Sequence, residues 1–397
     1  MSTVFQPLRG VTVVTLEHAI AAPLATRQLA DLGARVIKIE RPEVGDFARG
    51  YDTRVRGLAS HFVWTNRSKE SVTLDVKHPR ARELLLRLVH EHADVVVQNL
   101  APGAAARLGV SWEALHPAKP ALILCEISGY GSFGPYRDRK AYDLLIQSEA
   151  GFLSTTGTPQ VPSKAGISVA DIAAGMYAYT NILAALIERG QSGRGTHIDL
   201  SMLEALGEWM SYPMYYAFDG APPPERTGAS HATIYPYGPF STGDGGTVIL
   251  GVQNEREWAA FCEQVLQRPE LARDARFASN AKRQAARREL DAILDDVFGA
   301  LTAAQLTERL DAAQIANARV NDMAGLWAHP QLAARNRWHE VDTPAGPIPA
   351  LLPPGLAPQA GARMDPVPAL GEHTDALLRE LGVDDAELAE LRAQRAI

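Results

Sequence analysis

The sequence predicts an α/β protein, an open sheet with helices on its faces in the first half followed by a smaller second domain. Three observations carry this. Short β-branched runs alternate with segments of helical period, proline and glycine punctuate those segments at the expected ends, and the composition changes at the proline run Ala221-Pro-Pro-Pro-Glu.

Taken in order, Val11 to Leu16 is a β-branched strand, and Pro23-Leu-Ala-Thr-Arg-Gln-Leu-Ala-Asp-Leu is a helix ended by Gly33. Arg35 to Ile39 is the next strand, which completes a βαβ unit. The alternation continues with a strand at Ser71 to Leu74, a helix at Pro79 to His92 and strands at Asp94 to Val97 and Ala121 to Ile127. A long helix is expected from Asp171, acting as an acidic cap, to Arg189, ended by Gly190. The turn Ser192-Gly-Arg-Gly and the segment Thr196 to Met202 follow. Gly238 to Val252 is a hairpin around Gly243-Asp-Gly-Gly, and Glu255 to Leu310 is mostly helical and charged. Ala345 to Pro368 is rich in proline, alanine and glycine without helical period, and a last helix runs from Asp375 to Arg395. The domain expectation is a large domain over 1–219, a small α+β domain over 220–325 and a segment over 326–397 that returns to the large domain.

Charge and composition narrow the function. The 397 residues carry 46 acidic and 39 basic side chains, a formal charge of −7, so the clustered basic charge that nucleic acid requires is missing. Cys125 and Cys262 stand far apart without CxxC spacing, which argues against a disulfide framework and a structural zinc site. The start MSTVFQPLRG lacks a signal peptide's basic and apolar segments, and no run approaches the roughly 18 apolar residues of a membrane span, so a cytoplasmic protein is expected.

Gly129-Tyr-Gly-Ser-Phe-Gly134 has GxGxxG form after a strand, but Pro135-Tyr-Arg-Asp-Arg-Lys follows where an apolar helix should begin, which argues against a dinucleotide site. GxxxxGK[ST], GxSxG and HExxH are absent, and His90 and His92, two apart on a helix, point to different faces. Asp171 follows the apolar Ile167-Ser-Val-Ala170 and opens a helix. One reading makes it a plain N-cap. The other makes it a nucleophile toward an activated acyl group, kept ionised by the helix N-terminus. Arg41, Arg107 and Lys140 fall after expected strands, where open α/β sheets bind ligands, yet each alone also fits a solvated surface charge.

The ordered set of motifs resembles the class III CoA-transferases, which include formyl-CoA transferase and carnitine CoA-transferase. The resemblance spans nearly the whole chain. Its first part rests on Leu8-Arg-Gly-Val-Thr-Val-Val, Ala21-Ala-Pro-Leu, Leu32-Gly-Ala-Arg-Val-Ile-Lys-Ile-Glu-Arg-Pro, Gly45-Asp, Asn66-Arg-Ser-Lys and Leu74-Asp-Val-Lys. It continues through Asn99, Gly129-Tyr-Gly, Gly134-Pro-Tyr, Ala141-Tyr-Asp143, Thr156-Gly, Val169-Ala-Asp-Ile, Gly193-Arg-Gly and Leu370-Gly-Glu-His-Thr374. It implies a homodimer of interlocked rings, each chain with a large Rossmann-like domain and a small domain. CoA esters are then substrates, and no permanent cofactor or metal is needed.

The family's nucleophilic aspartate matches Asp171, which reverses the preference for a plain cap. Its CoA contacts match His18, Ile20, Ala21, Arg41, Leu74 to Lys77, Asn99, Leu100, Arg107 and the stretch Lys140, Ala141, Tyr142, Asp143. Ile20 stands where formyl-CoA transferase has glutamine, and a glycine-rich lid insertion has no counterpart, so formate and oxalate are disfavoured. Arg226 to Phe240 is similar to branches that handle C4 and C5 dicarboxylates, most like succinyl-CoA-dependent itaconate CoA-transferases, with mesaconate, malate and citramalate as alternatives. Arg49, Arg67 and His231 are candidates for the distal carboxylate, and backbone N–H groups at the start of the Asp171 helix are candidates for an oxyanion site. Two rivals remain. A CoA-ester racemase of the superfamily would carry its catalytic histidine at the Tyr142 position, and an inactive acyl-CoA-binding protein would keep the fold alone.

Overall fold

The computed structural model describes residues 5–357 and 361–397. Residues 1–4 of the N-terminal decapeptide and 358–360 of the proline-, alanine- and glycine-rich stretch lie outside the described residues.

The expected alternation forms the first half of the chain. The strands are β1 (Thr12–Leu16), β2 (Arg35–Glu40), β3 (Lys69–Thr73), β4 (Val95–Gln98), β5 (Ile123–Ser128) and β6 (His197–Ser201). The helices are α1 (Ala21–Asp31), α2 (Ser60–Thr65), α3 (Pro79–His92), α4 (Ala104–Leu108), α5 (Trp112–Leu115), α6 (Asp143–Glu149), α7 (Phe152–Thr155), α8 (Val169–Ser192) and α9 (Met202–Trp209). All strand pairs are parallel, in the order β3-β2-β1-β4-β5-β6. The order reverses between β1 and β4, the place where such sheets bind ligands beyond their carboxyl ends. The central strands read as unbroken apolar runs because both faces are covered: Val13, Val14, Val95, Val96 and Val97 are all fully buried.

Helix α3 starts on Pro79 and sets Leu84, Leu85 and Leu88 into the core. Helix α1 is buried on nearly every side. It packs against α8, where a side chain on Gly175 would place its Cβ 2.7 Å from the Ala21 carbonyl oxygen, so only glycine admits this approach. Helix α8 begins two residues before the expected start and runs through Gly190 to Gly193, whose φ of 71° ends it. Asp171 is therefore inside the first turn and is not its cap. By length and apolarity α8 alone among the described helices would suit a membrane span, a correction to the expectation that no run does. Ala170, Ala173, Ala174, Ala178 and Ile182 of this helix are buried in the fold.

Two compact units are present. The first holds the described residues up to Ala150, Ala165–Met210 and Pro330–Ile397, and the second holds Gly151–Lys164 and Ser211–His329. The expected boundaries after residues 219 and 325 both fall inside the second unit. Pairing distant in sequence is the reason: Gly228 N donates to Gly157 O at 2.7 Å, and Arg226 to the carbonyls of Thr158 and Pro159 at 2.9 Å each. The hairpin forms as β7 (Tyr237–Ser241) and β8 (Thr247–Gly251), and β9 (Ala316–Arg319) joins it antiparallel. Trp258, Phe261, Phe277 and Phe298 fill that unit's core.

In the first unit, β10 (Trp338–Val341) pairs with β11 (Ile348–Leu351), so the stretch without helical period contains a strand. The single C-terminal helix divides into Thr374–Glu380 and Asp385–Ala393, because Gly382 adopts φ 78° between them. The tail lies along β3: Thr73 N donates to Thr374 Oγ1 at 2.9 Å and Gly371 N to Ser71 Oγ at 2.9 Å.

Candidate active site

The loops at the carboxyl end of the sheet gather the residues singled out in the sequence. His18 N donates to Asn99 Oδ1, and Asn99 Nδ2 returns a bond to the His18 carbonyl, both at 2.9 Å. This reciprocal pair ties the loop after β1 to the loop after β4 across the point where strand order reverses. Ile20 and Ala21, at the start of α1, are buried, as is Leu74 after β3, whereas Asn99 and Leu100 are partly exposed. Arg41 follows β2, Lys77 follows β3, Arg107 lies on α4 and Lys140 precedes α6. All four are exposed, and among the described residues none of them makes an ion pair. Arg41 turns Nε and Nη2 onto the Gly45 carbonyl at 3.3 and 3.1 Å, and exposed basic side chains without an ion pair at this end of the sheet can meet phosphate oxygens.

Beneath the first loop lies a buried ionic network that the sequence did not reveal. Glu17, Lys38, Asp46 and Asn66 are wholly buried and Lys69 nearly so. Lys38 Nζ donates to Asp46 Oδ2 at 2.7 Å, Asn66 Oδ1 at 3.1 Å and Glu17 Oε1 at 3.4 Å. Lys69 Nζ donates to Glu17 Oε1 at 2.7 Å, the Pro23 carbonyl at 2.9 Å and Asn66 Oδ1 at 3.1 Å. The second Glu17 oxygen accepts from Thr26 and Thr15 at 2.7 and 2.9 Å. Burial alone would raise the Glu17 carboxyl, but Lys69 and then Lys38 outweigh it and hold it at about 2. Burial pushes Lys69 down to about 7 against the pull of Glu17.

The network reaches the loop through Asp46. Its Oδ1 accepts from Ala19 N at 3.2 Å and so supports the left-handed conformation of Ala19, φ 62°. His18 stacks on Phe47, with ring centroids 5.2 Å apart, and burial lowers its pKa below the ordinary 6.5 against the pull of Asp46, so its ring is neutral at pH 7. The segments Lys38-Ile-Glu, Gly45-Asp and Asn66-Arg-Ser-Lys, met in the sequence as motif pieces, are thus one structural unit. The signal that could have found it is three ionisable residues in apolar strand surroundings, since charges there need partners.

Asp171 belongs to the same unit of the chain. It sits in the first turn of α8, partly buried. Ser168 at the N-cap supplies no side-chain bond. Instead Asp143 Oδ1, from α6, accepts from Ala170 N at 2.8 Å and Asp171 N at 3.4 Å. The other two amides of the turn are also engaged, Val169 with the Ile167 carbonyl and Ile172 with the Ser168 carbonyl, at 2.9 Å each. The start of α8 therefore offers no free donor for an oxyanion, contrary to the sequence expectation. The Asp171 carboxyl is raised to about 7, first by burial and then by the Asp143 charge, so these effects oppose ionisation where the bare helix-end argument favoured it. Tyr51 lies within electrostatic reach: burial and then the charges of Asp46 and Asp171 raise its phenol to about 12.

Three expected acceptor contacts have other partners. Arg67 grips Asp31 with two bonds of 2.8 and 2.7 Å and is buried beside Arg27. Arg49 grips Glu40 with two bonds of 2.8 Å and lies 3.7 Å over the Phe62 ring. Both guanidiniums are spent inside the protein, so neither is free for a distal carboxylate. His231 lies in the second unit, where its ring stacks on Tyr237 and its Nδ1 accepts from Thr233 N and Ile234 N, leaving Nε2 to donate. Tyr142 is exposed beside Asp143. The Gly129–Gly134 run has a structural cause: a Cβ on Gly129 would stand 2.2 Å from the Ala141 Cβ, and Gly131 and Gly134 take positive φ in turns. Among the described residues no group of three or more His, Cys, Asp or Glu is placed to hold a metal ion.

The sequence profile of CoA-transferase family III matches residues 8–374. A succinate–glutarate CoA-transferase from Agrobacterium fabrum is 36% identical over 391 residues, covering 94% of this chain and 96% of its own length. The human succinyl-CoA:glutarate CoA-transferase is 31% identical, over 97% and 89%. A succinyl-CoA–D-citramalate CoA-transferase from Chloroflexus aurantiacus is 33% identical, over 99% and 98%. Among solved structures, a CAIB/BAIF family protein from Brucella suis superposes with a TM-score of 0.82 at 35% identity, covering 96% of this chain and all of that one.

Proposed function

This chain belongs to CoA-transferase family III, enzymes whose substrates are CoA thioesters, and from that premise we propose that it moves CoA from succinyl-CoA to a C4 or C5 dicarboxylate. The observation that carries the reading is Asp171. It is a carboxyl at the head of α8, relieved of capping by Asp143 and raised to about 7, in the same unit as the open basic loops. A carboxylate of that basicity is a better nucleophile than an ordinary one and is still ionised in part at neutral pH.

The Asp171 carboxylate attacks the thioester carbonyl of succinyl-CoA, giving a mixed anhydride and CoA thiolate. The thiolate then attacks the aspartyl carbonyl, which forms an aspartyl-CoA thioester and releases succinate. The incoming carboxylate repeats these steps in reverse: it attacks the aspartyl thioester, and the thiolate expelled then takes the acyl group from the new anhydride. Each step exchanges acyl groups of similar activation, so no external energy source enters the balance. Arg41, Lys77, Arg107 and Lys140 suit the CoA phosphates, and the His18–Asn99 pair fixes the loop over which the pantetheine would pass.

The similarity of Arg226 to Phe240 to the dicarboxylate branches favours itaconate, with mesaconate, malate and citramalate as alternatives. Glutarate is a further acceptor, because the Agrobacterium and human relatives are named for it. Tyr142 at the position of the racemase histidine favours transfer over proton abstraction. We take the working form to be an interlocked cytoplasmic homodimer. The deciding experiment mixes the pure protein with succinyl-CoA and each acid separately and follows CoA esters by mass spectrometry. A new ester with matching succinate release supports the reading, and relative rates name the acceptor. No ester from any acid would overturn it and would leave deuterium exchange into 2-methylacyl-CoA as the test of a racemase. Asp171→Asn should abolish transfer while CoA binding persists, whereas a pure binding protein would be indifferent to it.

A further inference from the structure

We propose that Asp143 is a positioning residue for Asp171: its carboxylate takes over the capping of α8, leaves the Asp171 side chain free to meet a thioester, and stands as a fixed negative charge beside it. The proposal rests on the reading of Asp171 as the acyl-accepting group.

The geometry commits both oxygens of Asp143. Oδ1 accepts from Ala170 N and Asp171 N, at 2.8 and 3.4 Å. Oδ2 accepts from Gln147 Nε2 at 2.6 Å. Gln147 is itself fully buried, and its Oε1 accepts from Ala165 N at 2.9 Å. Residues 143 and 147 of α6 thereby clamp the approach to α8 at two places, residue 165 and residues 170–171. A helix that supplied its own cap would use a side chain at position 168, and Ser168 makes no such bond. The resemblance placed Asp143 among CoA contacts, whereas the structure turns its carboxylate onto the nucleophile's own backbone.

The charge has a separate consequence. A like charge next to a carboxyl opposes its ionisation. Of the ionisable groups facing Asp171, Asp143 with Tyr142 beside it comes from α6, and Tyr51 from the segment before α2. On the other elements packed against α8 several charges are engaged elsewhere. Arg27 and Asp31 of α1 are paired with each other, with Arg67 also on Asp31, and Glu126 of β5 is paired with His197 of β6. Asp199 of β6 accepts from Ser132, and Glu204 and Glu208 lie along α9. Among all of these only the Asp143 charge acts on the Asp171 carboxyl, after burial.

Two substitutions separate cap from charge. Asp143→Asn keeps an oxygen for the two amides but removes the charge and the acceptor for Gln147 Nε2, and Asp143→Ala removes the cap as well. The full chain is assayed for CoA transfer across pH 5 to 9, with the thermal midpoint recorded for each variant. The Asp171 carboxyl is titrated directly by carbon-13 NMR on aspartate-labelled protein, with Asp171→Asn used to assign its signal. In the unsubstituted protein the acid limb of kcat/KM should fall near 7. In Asp143→Asn the limb and the NMR titration should both move about one pH unit lower, and the thermal midpoint should fall by the loss of the Gln147 bond only. In Asp143→Ala the midpoint drops further and kcat falls further, while KM for the CoA ester changes little. An Asp143→Asn titration that coincides with the unsubstituted one overturns the charge role. Equal thermal midpoints for Asn and Ala overturn the capping role. If the unsubstituted protein makes no CoA ester at any pH, the transferase reading has failed, and the NMR titration still decides whether Asp143 governs Asp171.

Discussion

Replacing Glu17 by glutamine tests whether the buried network is a structural requirement of the first loop. The substitution keeps the shape and removes one charge. Glu17 is fully buried, and its carboxyl is carried from an ordinary 4.5 to about 2. That shift is net of the burial penalty on Glu17 itself and corresponds to at most about 3 kcal/mol from its ionised form at pH 7, because Lys69, its main partner, is pushed down to about 7 and is only partly charged there. Removing one partner of a buried pair costs about 3–5 kcal/mol in general, the low end of which agrees. At roughly 2–4 °C per kcal/mol for a unit of this size, the thermal midpoint should fall by at most about 6–12 °C.

The pH dependence has a definite sign. A carboxyl depressed in the folded state stabilises above its unfolded value and loses that contribution as pH falls through the folded one. The gap between the unsubstituted protein and Glu17→Gln should therefore be full at pH 7 and shrink progressively below 4.5 toward 2. Lys69 is the group left without a carboxylate, so Glu17→Gln combined with Lys69→Met should recover part of the loss. The assay is circular dichroism melting of the three proteins at pH 7 and at pH 4. A midpoint lowered by less than about 2 °C, or a double variant no better than the single one, refutes the reasoning.

Other perturbations give equally definite outcomes. Asp171 is raised from 3.8 to about 7, so the folded state holds its proton longer than the unfolded one, and stability is lost as pH rises through 7. Asp171→Asn should thus melt several degrees higher at pH 8, a gain of roughly 2–4 kcal/mol, and nearly level with the unsubstituted protein at pH 4; equal midpoints at both pH values would contradict the buried charge. Gly175→Ala puts a methyl group 2.7 Å from the Ala21 carbonyl and should cost about 1–3 kcal/mol and lower kcat, because α1 and its loop must move from α8; unchanged kinetics and melting would show that the contact relaxes freely. Cys125 and Cys262 are buried, which raises both thiols to about 12, so an aromatic disulfide reagent should label neither in the native protein and both after denaturation; rapid native labelling of either would contradict their burial.

The sheet was legible because its signals are local. Pro79 and the leucine spacing that follows it place α3, and the valines of β1 and β4 read as strands buried on both faces. Asp171 was located by its position at a helix start and by resemblance to a family of known chemistry. Its environment was not legible, since the carboxylate that caps its helix lies 28 residues earlier in the chain. Arg49 and Arg67 looked like free cations for the same reason: Glu40 is nine residues from Arg49 and Asp31 is 36 from Arg67.

The sequence by itself determined the α/β alternation and the family, and it singled out Asp171 as the candidate nucleophile, because periodicity, turn residues and motif order act over a few residues. Tertiary structure alone decided which charges are spent inside the fold and which stay open to a ligand. It also decided that α8 starts without a free amide and that burial and the Asp143 charge raise the Asp171 carboxyl to about 7. These properties depend on desolvation and on partners brought together from distant parts of the chain, and neither is encoded in the spacing of neighbouring residues.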